Sequence, residues 1–524
     1  MNARSSPCAP LVLDGQPLTV ESVERVARGR AQVELDRKTA ARIDASRTVV
    51  QRQSDGHNPI YGLNTGFGSL SRVRIAPDQV REVQRNLIRS HAAGVGEPLP
   101  AEVVRAMMVI LAASLARARS GVKHQTVAQI VGMLNNDVIP WIPSRGSVGA
   151  SGDLAPLAHL ALVLIGEGEA SAGSADPGTS AIRPIPGFEA LKRCGLEPLR
   201  LDAKEGLALI NGTHMMAAIG TLALADIERI QTAAVAAAGL AIDACRATDA
   251  FLDARLHALR RQPGQIKIAE ALRELLRGST IITAHRTGDP RVQDPYCLRA
   301  CPQVLGAAFD AIAFARSLVE YELGAVTDNP LVFPDSDEPD SIVSGGNFHG
   351  MPLAIAFDTL KIALTHVAGI AERRVNWLLA ASDSENPVNV YLSPQPGLHS
   401  GLMITQYTAA ACCNELQTLA HPASVGNIPT SAGIEDYNSM GATAALQLRR
   451  AVERCEEVIA IELLVMTEAI EYQRPLRSGA GVERVVETVR SAVPRLTEDR
   501  PPAPDINAVA GLIRGGAFIP ASGS

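Results

Sequence analysis

Apolar positions recur at helical spacing through most of the chain. Over residues 101–118, Val103, Val104, Met107, Met108, Ile110, Leu111 and Leu115 fall on repeating turns, which predicts a helix over Ala101–Ala118. The same spacing predicts helices over Leu222–Ala247, Gln303–Leu323, Pro352–Leu379, Leu402–Leu419 and Ala442–Ala469. In Leu222–Ala247 the main charged group is Asp226, Glu228 and Arg229, expected toward water. Such long patterns predict a large helical bundle. Pro330, Pro334 and Pro339 punctuate a loop between two of them, and Pro501, Pro502 and Pro504 break the last pattern before a short C-terminal helix. Gly166–Gly187, rich in Gly, Ser, Ala and Pro, reads as a surface excursion near a domain boundary. The expected class is all-α: a smaller N-terminal domain over 1–200 and a large elongated helical bundle with the C-terminal region over 201–524. No repeat of fixed period is present.

Composition sharpens this picture. The 524 residues are 46% hydrophobic but only 3% aromatic, so small and aliphatic side chains must do most of the packing. That favours close-packed helices over an aromatic-rich sandwich. A formal charge of -6, with no Lys/Arg run, argues against a general nucleic-acid binder. Apolar stretches such as Leu154–Ile165 are too short to span a membrane, and Met1–Thr19 does not read as a signal peptide. The eight cysteines form no CxxC pair, and Cys297 and Cys301 lack a matching His/Cys cluster. Free thiols in a cytoplasmic location are expected, with no metal site.

The unusual segment is Gly146-Ser147-Val148-Gly149-Ala150-Ser151-Gly152-Asp153-Leu154. Read locally, it is a helix N-cap in which Ser151 or Asp153 accepts backbone N–H bonds and the glycines supply permissive angles. It also has the look of an anion nest, but lacks the lysine and the preceding strand of a P-loop. Other motifs flank it in order: Tyr61-Gly62-Leu63-Asn64-Thr65-Gly66-Phe67-Gly68, Ser90-His91-Ala92-Ala93-Gly94, Asn211-Gly212-Thr213, Gln293-Asp294-Pro295-Tyr296-Cys297-Leu298-Arg299, Thr327-Asp328-Asn329-Pro330, Gly345-Gly346-Asn347-Phe348-His349 and Glu435-Asp436. With the triplet Ala150-Ser151-Gly152, this series resembles the aromatic amino acid ammonia-lyase/aminomutase family, closest to its histidine-selective members. The likeness runs from about Leu18 to Gly515.

The resemblance implies that Ala150-Ser151-Gly152 cyclises by itself with loss of two waters to give 4-methylideneimidazole-5-one, an electrophilic alkene, with no metal or diffusible cofactor. The residue types suit this. Gly152 offers an unhindered nitrogen, Ser151 a hydroxyl that can be eliminated, and Ala150 little bulk. Ordinary side chains are poor electrophiles, so such a group answers the need that cofactors meet elsewhere. By the same resemblance, Tyr61 is the base for the substrate's β-proton and Tyr296 joins the catalytic set. Arg299 clamps the substrate carboxylate with its planar guanidinium. Asn211 and Gln293 complete the carboxylate and prosthetic-group contacts, and Phe348 packs near the substrate ring. His91 and Glu435 read an imidazole. Read without that context, these are an anchored loop tyrosine, a surface arginine, turn amides, a core phenylalanine, a structural histidine and a cap glutamate.

The resemblance further implies a small amino acid substrate and a homotetramer whose active sites each draw on three chains, with no nucleic-acid or membrane partner. The expected reaction is L-histidine to urocanate and ammonia. Histidine-selective members usually carry Asn-Gln before the Glu-Asp pair and His-Val after it. This chain has Gly433-Ile434 and Tyr437-Asn438, and Ala380–Ser400 also departs from the pattern. These differences motivate a histidine 2,3-aminomutase, which re-adds the amine at the β-carbon, or a phenylalanine/tyrosine ammonia-lyase, as alternatives. A helical scaffold with an uncyclised triplet is the non-enzymatic alternative.

Overall fold

A computed structural model describes residues 9–54, 59–68, 72–172, 184–336 and 341–519. The chain divides into two compact units, each discontinuous in sequence. The first comprises residues 1–222, 316–357 and 423–446, and the second 223–315, 358–422 and 447–524. The segment up to residue 200 therefore lies wholly in the first unit, and two later stretches return to it. The fold is all-α, with a few short strand pairs among the helices.

In the first unit the central helix is Ala101–Ala116, buried at every position from Val103 onward. A helix apolar all round has no face to give to water and becomes the middle of a core. Its one buried cation, Arg105, is satisfied rather than stranded. It donates to the carbonyls of Val26 and Leu134 and pairs with Asp137 at 2.6 Å. Short strands pin the connections: Leu11–Leu13 runs parallel to Val33–Leu35, and Val95–Pro98 runs antiparallel to Pro143–Arg145.

The helices expected from periodicity are present as Ala101–Ala116, His214–Ala244, Cys301–Leu323, Met351–Leu379, Met403–Leu419 and Gly441–Ala469. The largest difference is the start of the second, at His214 rather than Leu222. Gly220 does not break this helix. A Cβ there would come within 2.4 Å of Phe357, so the glycine is a notch for that ring. The excursion expected over Gly166–Gly187 is built at both ends. Glu169–Ala172 pairs with Val138–Pro140 and with Ile185–Pro186, while residues 173–183 lie outside the described residues. In the proline-punctuated loop, Leu331–Val332 pairs with Ile342–Val343, and Pro339 lies outside the described residues. Pro502 begins the helix Pro502–Arg514, where a missing N–H costs nothing.

In the second unit, Gly264 and Gly306 let two segments meet at backbone distance. A Cβ on Gly264 would lie 2.2 Å from the Gly306 carbonyl oxygen. Met351–Leu379 is long and apolar enough to cross a membrane by length and composition, but 67% of its most apolar stretch is buried in the protein. Buried Asp358, Lys361, Glu372 and Arg374 along it mark a core helix. The seven described cysteines are free.

Arg374 and Glu462 form a nearly fully buried pair, with Nε to Oε1 at 2.5 Å and Nη2 to Oε2 at 2.9 Å. The Glu462 carboxylate holds the Arg374 guanidinium charged despite its burial. Removing one member strands the other's charge, which costs about 3–5 kcal/mol. Glu462→Ala should therefore lower the thermal unfolding midpoint markedly in scanning calorimetry. An unchanged midpoint would refute a structural role for the pair.

Candidate active site

The triplet precedes helix Leu154–Leu164 and lies against the turn after Ile210. The Gly212 N–H donates to the Ser151 carbonyl at 3.2 Å, and the Asp153 N–H donates to the Gly212 carbonyl at 2.7 Å. Gly152 has φ 75°, and a Cβ there would sit 2.1 Å from the Gly212 oxygen, so only glycine fits. On the triplet's N-terminal side, Ser439 Oγ donates to the Gly149 carbonyl at 3.0 Å and the Met440 N–H to the Val148 carbonyl at 2.9 Å.

Asp153 stands at the N-cap of Leu154–Leu164 but makes no side-chain cap bond to it, contrary to the local reading. Its buried carboxylate instead accepts from the Met215 and Met216 N–H groups, each at 2.9 Å, and from Ser147 Oγ at 2.9 Å. These N–H groups belong to the first turn of His214–Ala244, where no intrahelical acceptor exists. Burial pushes Asp153 up to about 7, against the pull of its three donors.

A cavity of about 740 Å³ in the first unit is lined by Tyr61, His91, Ala150, Ser151, Asn211, Phe348 and Glu435 among others. Ser151 Oγ donates to Glu435 Oε1 at 3.4 Å, and Thr430 Oγ1 donates to Glu435 Oε2 at 3.0 Å. His91 Nδ1 faces the Leu87 carbonyl at 2.8 Å. A carbonyl only accepts, so Nδ1 carries a proton, and in that tautomer Nε2 is the acceptor. Tyr61 packs edge-on to Phe67 at 6.3 Å and accepts from the Gly68 N–H at 3.4 Å. Burial, reinforced by the charge of Glu435, raises the Tyr61 phenol above its usual value, while the Gly68 bond opposes this. Ile434 and Tyr437 also line the cavity, each 67% exposed.

Gln293, Tyr296 and Arg299 do not line this cavity. They belong to the second unit and border a separate pocket of about 500 Å³ with Arg291, Trp377 and Asp383. There the Arg299 guanidinium stacks 4.4 Å from the Tyr296 ring and donates from Nε to the Asp294 carbonyl at 2.8 Å. Tyr296 is 70% exposed. Sequence reasoning missed Thr430, Ser439 and Ser147, which hold Glu435, Gly149 and Asp153. The local signal for Thr430 and Ser439 was the density of small hydroxyl and amide residues around the Glu435-Asp436 pair, while Ser147 lies within the glycine-rich segment of the triplet itself.

The chain matches the aromatic amino acid lyase family over residues 18–491, and it belongs to that family. It is 49% identical to the histidine ammonia-lyase of Anaeromyxobacter dehalogenans (strain 2CP-C) over 510 residues, 97% of this chain and 99% of that protein. It is 45% identical to the histidine ammonia-lyase of Myxococcus xanthus (strain DK1622), over 98% of each. Among solved structures, histidine ammonia-lyase from Trypanosoma cruzi superposes with a TM-score of 0.88 at 38% identity, covering 97% of this chain and 94% of that one. Tyrosine aminomutase from Streptomyces globisporus gives 0.89 at 35% identity over 98% of both.

Because Asp153 binds its proton more tightly when folded than its unfolded value of 3.8, its contribution to stability is full below that value and is lost as pH rises through about 7. Asp153→Asn keeps an acceptor for the Met215 and Met216 N–H groups and removes the titration. Relative to the parent, this variant should gain thermal stability as pH rises from about 4 to about 7. Parallel midpoints across that range would show that Asp153 does not titrate there.

Proposed function

We propose that the protein is a histidine ammonia-lyase that converts L-histidine to urocanate and ammonia. The observation that carries this is the Ser151 hydroxyl bonded to Glu435 inside a cavity that also holds Tyr61 and His91. The first unit fits the 4-methylideneimidazole-5-one. A Cβ on Gly152 would fill the space against the Gly212 backbone, the backbone is held on both sides of the triplet, and Ser151 projects a hydroxyl beside a carboxylate acceptor. Once formed from Ala150-Ser151-Gly152, the group supplies an electrophilic methylidene carbon that turns the substrate amine into a better leaving group.

The chain's own residues do the rest. Tyr61 takes the β-proton, and the electrons of that C–H bond form the alkene as the α-carbon–nitrogen bond breaks. His91 Nε2 and the Glu435 carboxylate are two acceptors, matching the two N–H groups of an imidazolium ring. A phenyl ring offers neither acceptor an N–H and would leave His91 Nε2 unsatisfied, at about 1–3 kcal/mol. Phe348 packs against the ring. Asn211 serves the reacting end of the substrate. Gln293, Tyr296 and Arg299 complete the site from other copies of the chain in a homotetramer, where Arg299 binds the substrate carboxylate. We further propose that the protein works in the cytoplasm, which its free thiols support, without metal, nucleic acid or membrane partner.

Intact mass of the purified protein should be two waters below the value of the unmodified sequence, and Ser151→Ala should restore full mass and abolish activity with the fold retained. An unmodified mass in the parent defeats the proposal in favour of the scaffold alternative. Urocanate should form from L-histidine by absorbance. β-Histidine with little urocanate would decide for the aminomutase, and cinnamate or coumarate from the other amino acids for the third alternative.

Tyr61→Phe should lower kcat about 10²–10⁴-fold with little change in KM. Since the raised phenol pKa leaves Tyr61 mostly protonated near neutrality, kcat/KM should climb on the alkaline side, and this limb should vanish in Tyr61→Phe. An identical alkaline limb in the variant would exclude Tyr61 as the base.

A further inference from the structure

Beside the cavity lies a buried ion pair that the reaction as described does not use. Lys204 Nζ donates to Asp328 Oδ2 at 2.5 Å, with the side chains 0% and 3% exposed. Burial pulls the Lys204 ammonium down, and the Asp328 charge opposes this. A buried pair of this kind is weak evidence for stability, because apolar residues of similar volume often serve as well or better. Its geometry points elsewhere. Asp328 Oδ1 accepts from the Asn329 N–H at 2.7 Å and from Asn211 Nδ2 at 3.5 Å, and Asn211 Nδ2 also donates to the Asn329 carbonyl at 3.1 Å.

Both neighbours of Asn211 Nδ2 are acceptors, so the amide has one orientation. Turned over, its oxygen would face a carboxylate and a carbonyl. The Asn211 Oδ1 that remains is buried without a hydrogen-bond partner, in a residue that lines the cavity. Lys204 and Asn211 cap the two ends of the short helix Glu205–Ile210, so one rigid segment carries both the ammonium and the amide. Gly212, the next residue, pairs with the triplet.

We infer that the Lys204–Asp328 pair is a positioning device for Asn211, holding its carbamoyl nitrogen so that its oxygen is presented as an acceptor for the substrate's amine. Asn211 therefore serves the amine end rather than the carboxylate that its motif suggested. This rests on the reading under Proposed function and adds to it which end of the substrate Asn211 binds and what holds it there.

The test compares the parent, the charge-free pair Lys204→Met with Asp328→Leu, Asn211→Ala, and all three substitutions together. Thermal unfolding reports the fold, intact mass reports the triplet, and ammonia release is read with L-histidine, L-tyrosine and L-phenylalanine. The charge-free pair should fold and lose two waters as the parent does, yet release ammonia about 10- to 100-fold more slowly in kcat. Asn211→Ala should fall at least as far, and the triple variant no further, because the pair acts through Asn211. Full activity in the charge-free pair, or losses that multiply in the triple variant, overturns the inference. If the charge-free pair does not fold, Asp328→Asn takes its place and is read by the same coupling to Asn211→Ala. A parent that releases ammonia from none of the three amino acids overturns both the proposed function and this inference. An active parent with a fully active charge-free pair overturns only the inference.

Discussion

Two backbone hydrogen bonds, from Gly212 to Ser151 and from Asp153 to Gly212, set the conditions for the rest of the first unit. They hold the triplet at van der Waals distance from a second strand of backbone. That closeness is why position 152 is glycine, whereas a Cβ on Gly212 would instead meet the side chains of His214 and Thr327; Ser151 lines the cavity. The buried Asp153 carboxylate ties the same point to the first turn of His214–Ala244, so a long helix braces the segment from behind. Anchoring a short loop to the N–H groups of a helix start gives it the rigidity that a reacting centre requires.

Around that point, each reading group is fixed by a bond on its far side. The Leu87 carbonyl sets the tautomer of His91, Thr430 holds one Glu435 oxygen, and Asp328 orients Asn211. The near sides then face the cavity as acceptors. Such a set of acceptors favours a ligand rich in N–H groups. Burial, with the Glu435 charge added, raises the Tyr61 phenol, and a cation brought close to this proposed base would lower it. Arg299, stacked on Tyr296 in the second unit, is the guanidinium that the homotetramer proposal would bring from another copy.

Much of the architecture was legible in the sequence. Apolar periodicity located Gly441–Ala469 and Met403–Leu419 to within a residue at either end, because long helices repeat the same signal many times. The start at His214 was not legible, since Gly220 reads as a weak point until the Phe357 ring it admits is known. At the site, the triplet, Tyr61, His91, Asn211, Phe348 and Glu435 were found through the order of their motifs, not through local pattern. By local pattern alone Asp153 is an N-cap, and it caps a different helix. Ser439 and Lys204 act across long stretches of chain, on Gly149 and Asp328, and such partners leave no trace in spacing. The three-residue set Gln293, Tyr296 and Arg299 was grouped with the rest by motif, yet it belongs to another unit.

The stretch 423–446 carries Glu435, which faces the cavity, and, a few residues on, Ser439 and Met440, which hold the backbone ahead of the triplet. The proposed reader of the substrate and the support of the triplet thus lie on one strip of chain. Insertions or deletions there would disturb both at once, while exchanges of single cavity-facing side chains disturb only the first. Divergence in this lineage should accordingly proceed by point replacement at positions such as Ile434 and Tyr437, at constant loop length, leaving the strip's backbone path as the inherited part.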